Sequence, residues 1–276
     1  MNRMHFFFTL LLFTFFSILP LLSQAQHDKT MPRSAARAAF GVTEAGAIDA
    51  LMPTIEGVGG TARELLQQQS VKAYMMPVRK IGARGTELSY MLASCMEYYI
   101  NLDKNYKMNL SPDYISLSIE NNGKKATPME AFAFLSQQGT VNAAIIPYNA
   151  PTITEAVYSA QKFKITNYLY LFRDITPGRQ RVYEVRKALM RGNPVLVEIK
   201  ANADIESFVG KNWKPSGEGT DLYPLVVVGY DEAAQALEVL SCWGRNWGSN
   251  GYTWISYDDF GKYAQNGYVL VTDGVQ

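Results

Sequence analysis

The order of its hydrophobic patterns constrains the fold of this chain most. Helical patterns come first, with segments that open at Thr86, Pro112 and Thr127. Strand patterns dominate from residue 169 onward, and residues 225–230 are apolar enough to indicate a central strand. Helices followed by antiparallel strands predict an α+β fold with two lobes. The first lobe is expected to be helical around a buried helix, and the second to be formed by antiparallel strands.

The individual segments follow from periodicity and from turn residues. The predicted helices cover residues 43–51, 61–69, 86–102, 127–139 and 182–190, and a further helical turn begins at residue 112. The predicted strands cover residues 71–78, 169–172, 195–199, 225–230, 236–241, 252–255 and 268–271. The helix after Thr86 is apolar on nearly every face, which predicts that it is buried.

The first 25 residues have the pattern of a secretory signal peptide. One basic residue, Arg3, precedes an apolar run over residues 6–22, and Ser23 and Ala25 supply the small residues of a cleavage site. A membrane anchor is the alternative, but the run is short for a span of about 20 residues and contains Pro20. We therefore predict an exported protein, secreted or periplasmic, without an integral membrane span after cleavage.

The charge balance argues against two classes of partner. Residues 1–25 contain Arg3 and no acidic residue, so the remainder has equal numbers of basic and acidic side chains and zero formal net charge. No long run of like charge occurs, which argues against nucleic acid and against an anionic membrane surface. No cofactor or metal site is predicted, because no Asp/Glu cluster has ligand spacing and histidine is absent after His27.

The two cysteines, Cys95 and Cys242, are too few for a disulfide scaffold. One bridge between them is an open alternative in an oxidising compartment. Two buried free thiols is the preferred interpretation, because cysteine is among the residues most often buried.

A loop with a doubled Trp-Gly pair is the most specific motif. It runs over residues 241–252 and contains Trp243-Gly244 and Trp247-Gly248. Together with residues 77–90 and 110–148, and with the apolar strand that begins at Tyr223, it resembles the papain-like cysteine peptidases in the order and spacing of the motifs. The resemblance covers about residues 71–272. It implies a papain-like two-lobed fold, with a helical N-terminal lobe around a buried central helix and a C-terminal lobe that is an antiparallel β-sheet or barrel. We predict a signal peptide over residues 1–25, a leader or arm over 26–70 that could be a remnant pro-segment, and a papain-like domain over 71–276.

The resemblance also locates the positions where this family carries its chemistry. The nucleophilic cysteine falls on Glu87, the general-base histidine on Tyr223, the asparagine that orients it on Ser241, and the oxyanion glutamine on Ile81. A thiol peptidase needs a base to take the thiol proton, and residues 28–276 contain no histidine. The resemblance therefore implies a catalytically degenerate member that keeps the turn and packing residues of the scaffold.

Other chemistry around Glu87 is the main alternative. The start of a helix favours an anion, so a carboxylate is stabilised there, and Tyr223 is predicted to donate a hydrogen bond to it. A rewired hydrolase would need a second carboxylate, for which Asp221 and Glu218 are near in sequence. Cys95 as a displaced nucleophile is disfavoured, because a buried thiol without a base is inert.

These observations predict a secreted, non-catalytic papain-like protein that binds a peptide or protein partner, or its own arm, in the cleft between the lobes. The candidate cleft residues are Glu87, Tyr223, Trp243 and Trp247. The alternative is a secreted hydrolase, either a peptidase by similarity or one rewired around Glu87. A third alternative is a subunit of an envelope assembly that uses the fold only as a surface.

Overall fold

The computed structural model describes residues 39–119 and 124–272. The α-helices of this part of the chain are α1 (Ala45–Leu51), α2 (Ala62–Leu65), α3 (Glu87–Lys104), α4 (Pro112–Ile119), α5 (Pro128–Gln137), α6 (Gly178–Met190) and α7 (Tyr257–Tyr263). The strands are β1 (Gln68–Ser70), β2 (Ile165–Phe172), β3 (Val195–Ala201), β4 (Asp221–Asp231), β5 (Ala236–Leu240), β6 (Tyr252–Ser256) and β7 (Ala264–Thr272).

The strands form one antiparallel sheet in the order β2-β7-β3-β4-β5-β6, and the short β1 pairs with the far end of β4. β3 and β4 are central and pair from Val195 opposite Val227 to Ala201 opposite Asp221. The predicted α+β fold, with helices before an antiparallel sheet, is confirmed. The barrel form of the second lobe is not found, because β2 and β6 lie at opposite edges of the described sheet and do not pair.

Helix α3 is the buried centre of the helical part. Thr86 caps it, with its hydroxyl group accepting from the Ser89 amide while the Ser89 hydroxyl accepts from the Thr86 amide. Asn105 ends it in the left-handed conformation, at φ 47°. The side chains between are apolar on nearly all sides and pack chiefly against β4, so α3 has a fixed position relative to the sheet.

Residues 39–70 pack along the sheet. Val42 pairs with Leu169 in edge strand β2, the Ile55 amide donates to the Arg191 carbonyl at the end of α6, and β1 extends the pairing of β4. The predicted entry strand over residues 71–78 is wrong. Residues 68–70 form the strand instead, and Lys72–Tyr74 turn into a 3-10 helix.

The predicted helix over residues 61–69 is shorter than expected. Thr61 caps it through a capping box with Glu64, as its sequence predicts, but the helix ends at Leu65. The reason is pairing with the sheet, since the Gln67 carbonyl accepts from the Glu232 amide and Gln69 lies opposite Tyr230. A long-range strand pairing thus replaces the last turn of the predicted helix.

The predicted signal peptide and the first part of the predicted arm lie outside the described residues. Among the helices of the described ranges, none is both long and apolar enough to cross a membrane. Cys95 and Cys242 are both buried and both free, which confirms the interpretation of two unbridged thiols.

Candidate functional site

Glu87 is the first residue of α3 and is half-buried. The turn before it is closed by the Gly85 amide, which donates to the Gly82 carbonyl at 3.0 Å. Thr86 holds the capping position, so the carboxylate of Glu87 projects from the first turn of the helix. The positive end of the helix dipole stabilises a carboxylate at that position. Local sequence alone therefore explains both where Glu87 lies and why a negative charge is tolerated there.

Backbone hydrogen bonds attach the turn before α3 to the loop after β5. The Ile81 amide donates to the Cys242 carbonyl at 2.7 Å, and the Gly244 amide donates to the Arg79 carbonyl at 3.1 Å. Lys80 and Trp243 form an antiparallel bridge between these bonds. The Ile81 side chain packs against the hydrophobic core and has no donor to offer.

Three aromatic side chains connect β4 to the loop that contains the doubled Trp-Gly motif. The ring centroids of Tyr223 and Trp243 are 5.9 Å apart, and those of Trp243 and Trp247 are 5.3 Å apart. Trp247 is 2% exposed, and its indole nitrogen donates to the Ile205 carbonyl at 2.5 Å. Trp247 is therefore a core residue, whereas Trp243 is half-buried beside Tyr223.

Tyr223 does not form the predicted hydrogen bond with Glu87 in the described structure. Burial raises the pKa of Tyr223 to about 12, and the negative charges of Glu206, Asp221 and Glu87 add to the shift in that order. Glu206 lies on the 3-10 helix Ala203–Ser207 and affects this hydroxyl more than Glu87 does, which sequence alone does not reveal. With this pKa the hydroxyl stays protonated at neutral pH and is not a ready base.

Ser241 is occupied by backbone contacts. Its amide donates to the Gly251 carbonyl at 3.1 Å, and its hydroxyl oxygen accepts from the Trp243 amide at 3.4 Å. The residue is 1% exposed. These contacts fix the loop that carries Trp243 and leave Ser241 with a structural role.

A cavity of about 250 Å³ opens beside Glu87 between the helical part and the sheet. Its charged lining residues are Glu87 from α3, Lys125 from the segment before α5, Glu198 from β3 and Asp221 from β4. Glu198 is 7% exposed, and one of its oxygens, Oε2, accepts from Asn266 Nδ2 at 2.8 Å and from the Tyr268 hydroxyl at 3.4 Å. Burial raises the pKa of the Glu198 carboxyl.

Of the predicted cleft residues, Glu87 lines this cavity. Tyr223, which is 4% exposed, and Trp243 pack against each other and are not among its lining residues, and Trp247 lies in the core. Glu198 was missed by the sequence prediction, although a single acidic residue in the apolar strand 195–199 is a signal that could have identified it. Within residues 39–119 and 124–272, no three His, Cys, Asp or Glu side chains are arranged to hold a metal ion.

A family model described as papain family cysteine protease matches residues 67–270. The chain belongs to the papain family. Among solved structures, procathepsin L 3 from the larval midgut of Tenebrio molitor superimposes with a TM-score of 0.62 at 18% identity, over 79% of this chain and 74% of that one. Bromelain from Ananas comosus superimposes with a TM-score of 0.61 at 21% identity, over 74% of this chain and 98% of that one.

One curated relative extends beyond the matched region. The gamete and mating-type specific protein A of Dictyostelium discoideum is 25% identical over 205 residues, which cover 71% of this chain and 44% of the relative. The chain thus spans less than half of that relative. The comparisons confirm the predicted family and fold. The assignment of Ile81, Glu87, Tyr223 and Ser241 to the catalytic positions of the family stays a prediction.

Proposed function

We propose that this protein is an exported, non-catalytic member of the papain family that binds a peptide or protein partner in the cleft beside Glu87. The observation that carries the proposal is the carboxylate at the first residue of α3, where the motif resemblance puts a thiol nucleophile. A carboxylate there cannot form a thioester, and residues 28–276 contain no histidine to act as the base.

The surroundings of Glu87 support the same proposal. Tyr223 has a raised pKa, the Ile81 side chain has no hydrogen-bond donor, and Ser241 is used by the backbone of its own loop. Loss of one oxyanion donor alone typically lowers the rate of acyl transfer by about 100-fold or more. Several such losses together leave a scaffold without the parts of thiol-dependent peptide hydrolysis.

The thiols that remain do not replace the nucleophile. Burial raises the pKa of both Cys95 and Cys242, and the charge of Glu87 adds to the shift at Cys242. A thiolate is therefore disfavoured at both positions, and a thiol that stays protonated is a poor nucleophile.

A cleft that cannot cleave is still able to bind. The cavity beside Glu87 is lined by both layers of the fold, and residues 39–70 do not contribute to its lining. The described part of the predicted arm therefore leaves this cavity open to a separate partner. Export rests on the predicted signal peptide over residues 1–25, and it fits a protein that meets its partner outside the cytoplasm.

A hydrolase rewired around Glu87 is a second candidate, favoured by one observation. Glu198 and Asp221 line the same cavity as Glu87, and the pKa of Glu198 is raised by burial. A carboxyl group with a raised pKa is a candidate general acid, and a second carboxylate beside it is a candidate base or nucleophile. Binding remains the preferred function, because the Tyr223 hydroxyl stays protonated at neutral pH and Ser241 is held by the backbone of its own loop, so neither supplies a base.

Turnover assays separate the two candidates. Purified protein is incubated with a panel of peptides and esters, beside Glu87→Gln, Glu198→Gln and the surface control Glu56→Gln, whose side chain is exposed. If the protein binds its partner without cleaving it, none of these proteins is expected to show turnover. Turnover that disappears in Glu87→Gln and Glu198→Gln but persists in Glu56→Gln would establish the hydrolase and overturn the proposal.

A further inference from the structure

The cavity beside Glu87 is negative, although the protein as a whole is nearly neutral. Three carboxylates line it, from Glu87, Glu198 and Asp221, and Lys125 is the one basic residue among its described lining residues. The acidic residues come from α3, β3 and β4, which lie far apart in sequence. The negative lining is therefore created by the packing of the two layers and not by a local run of acidic residues.

Glu198 is the most enclosed charged residue of this cavity. Its side chain is 7% exposed, and Asn266 and Tyr268 hold its Oε2. Its Oε1 accepts no hydrogen bond from any residue in the described ranges. Because Glu198 lines the cavity and is otherwise enclosed, the accessible part of its carboxylate faces the cavity. A buried charge of this kind is costly unless a partner compensates it.

The remaining walls determine what kind of partner fits. Leu88, Pro128, Leu222 and Pro224 supply apolar surface around the carboxylates. The volume of about 250 Å³ is below the roughly 300–1,000 Å³ of pockets that enclose a whole small ligand. The cavity suits one long side chain with an apolar stem and a charged head, because such side chains bury the stem and direct the head to an opposite charge.

The basic side chains of this region lie around a neighbouring cavity. Arg84, Lys124 and Lys125 line it, together with Thr86 and with α4 residues such as Ser116. Two of the three basic residues, Arg84 and Lys124, thus line only the neighbouring cavity, and Lys125 is shared by both. The three carboxylates of the first cavity therefore have one cation, Lys125, among the described residues that line it.

We infer that the cavity formed by Glu87, Glu198 and Asp221 binds the cationic side chain of a lysine or arginine in a peptide partner. The inference rests on the proposed function and names the side-chain class that the cleft selects. Glu198, the most buried of the three, offers a fixed acceptor. Glu87, which is half-buried, and Asp221, which is exposed, add negative charge that attracts a cation.

The test uses fluorescein-labelled, alanine-based pentapeptides that carry lysine, norleucine or glutamate at each position in turn. Norleucine keeps the length of the lysine stem and removes its charge. Fluorescence anisotropy measures the binding of each peptide to the purified protein and to Glu198→Gln, Asp221→Asn and Glu56→Gln. We expect lysine at one position to bind about 10- to 100-fold more tightly than norleucine, as for hydrogen bonds between charged groups.

The variants assign this preference to the cavity. In Glu198→Gln, the affinity for the lysine peptide is expected to fall to within a few-fold of the affinity for the norleucine peptide. Glu56→Gln is expected to leave the preference for lysine unchanged. Asp221 is exposed, so Asp221→Asn keeps the fold and tests the charge even if Glu198→Gln fails to fold. This exposed variant is expected to lower the preference by a smaller factor.

Each other result overturns the inference. If peptides bind but norleucine is equal to lysine, or if neither Glu198→Gln nor Asp221→Asn changes the preference, the inference is wrong and the proposed binding function stands. If no peptide of the panel binds, the inference and the proposed function fail together.

Discussion

Glu87 and Glu198 line the same cavity although one begins the central helix and the other lies in the middle of the sheet. Glu87 is stabilised locally by the start of α3. Glu198 is held by Asn266 and Tyr268 of β7 and is almost fully enclosed. The cavity is therefore lined by carboxylates with different environments.

Glu198 is expected to lower the stability of the folded protein at neutral pH. Burial raises the pKa of its carboxyl, so the ionised form costs free energy of folding. This cost is absent below the ordinary pKa of a glutamate. It grows as the pH rises from that value to the raised pKa of Glu198, above which it is fully present. Glu198→Gln should therefore be more stable than the native protein at neutral pH, by about 1.4 kcal/mol for each unit by which the pKa is raised.

Denaturant unfolding at a series of pH values measures this difference. The charged and titratable groups near Glu198 are Tyr268 on β7, Glu87 on α3, Asp221 on β4 and Lys125 before α5. Both proteins keep these groups, so their contributions largely cancel in the comparison. A stability difference that is constant with pH would show that the carboxyl of Glu198 does not have a raised pKa.

Glu87→Gln is expected to change stability little. The helix dipole favours a carboxylate at this position by about 0.3–1 kcal/mol, and Glu87 is only half-buried. The free energy of unfolding at neutral pH should fall by no more than about 1 kcal/mol, and Glu56→Gln should show no change. A loss of several kcal/mol would mean that Glu87 is a structural residue of the core and not part of an open cleft.

Trp247 and Trp243 are expected to differ in their contributions to folding. Trp247 is 2% exposed and donates to the Ile205 carbonyl, so Trp247→Ala should cost about 3–5 kcal/mol. Trp243 is half-buried, so Trp243→Ala should cost clearly less. Denaturant midpoints with unchanged slopes measure both values. Equal losses would contradict the distinction between a fully buried and a half-buried tryptophan.

Both thiols are expected to be unreactive in the native protein. Cys95 and Cys242 are buried, and their raised pKa values keep them protonated near neutral pH. A chromogenic disulfide reagent should detect no thiol in the folded protein and both thiols in denaturant. As a matched control, Glu87→Cys should add one thiol that reacts in the folded state. Rapid native labelling of Cys95 or Cys242 would reopen the hypothesis of a displaced nucleophile.

Local signals predicted α3 and the order of the fold, because capping and periodicity are properties of neighbouring residues. Thr86 and Ser89 form the cap that the sequence indicates, and the apolar run after them is buried. The same local reasoning failed for residues 61–78, where pairing of β1 with β4 ends the helix early. A strand of three residues carries too little pattern to be recognised without its partner.

The sequence predicted only part of the candidate site, because contacts between distant segments leave no local pattern. Motif spacing identified Glu87, Tyr223 and Trp243, and the structure places them around one region. The proximity of Glu206 to Tyr223, and of Glu198 to Glu87, depends on how distant elements pack. No pattern along the chain contains that information.

The central claim is that the cleft binds a peptide without cleaving it, and mass spectrometry of a bound peptide tests it most directly. The tightest-binding peptide of the panel is held with excess protein for an extended time and then recovered by denaturation. We predict that the recovered peptide has the mass of the intact peptide, both for the native protein and for Glu87→Gln. Recovery of shortened peptide from the native protein, but not from Glu87→Gln, would contradict the account.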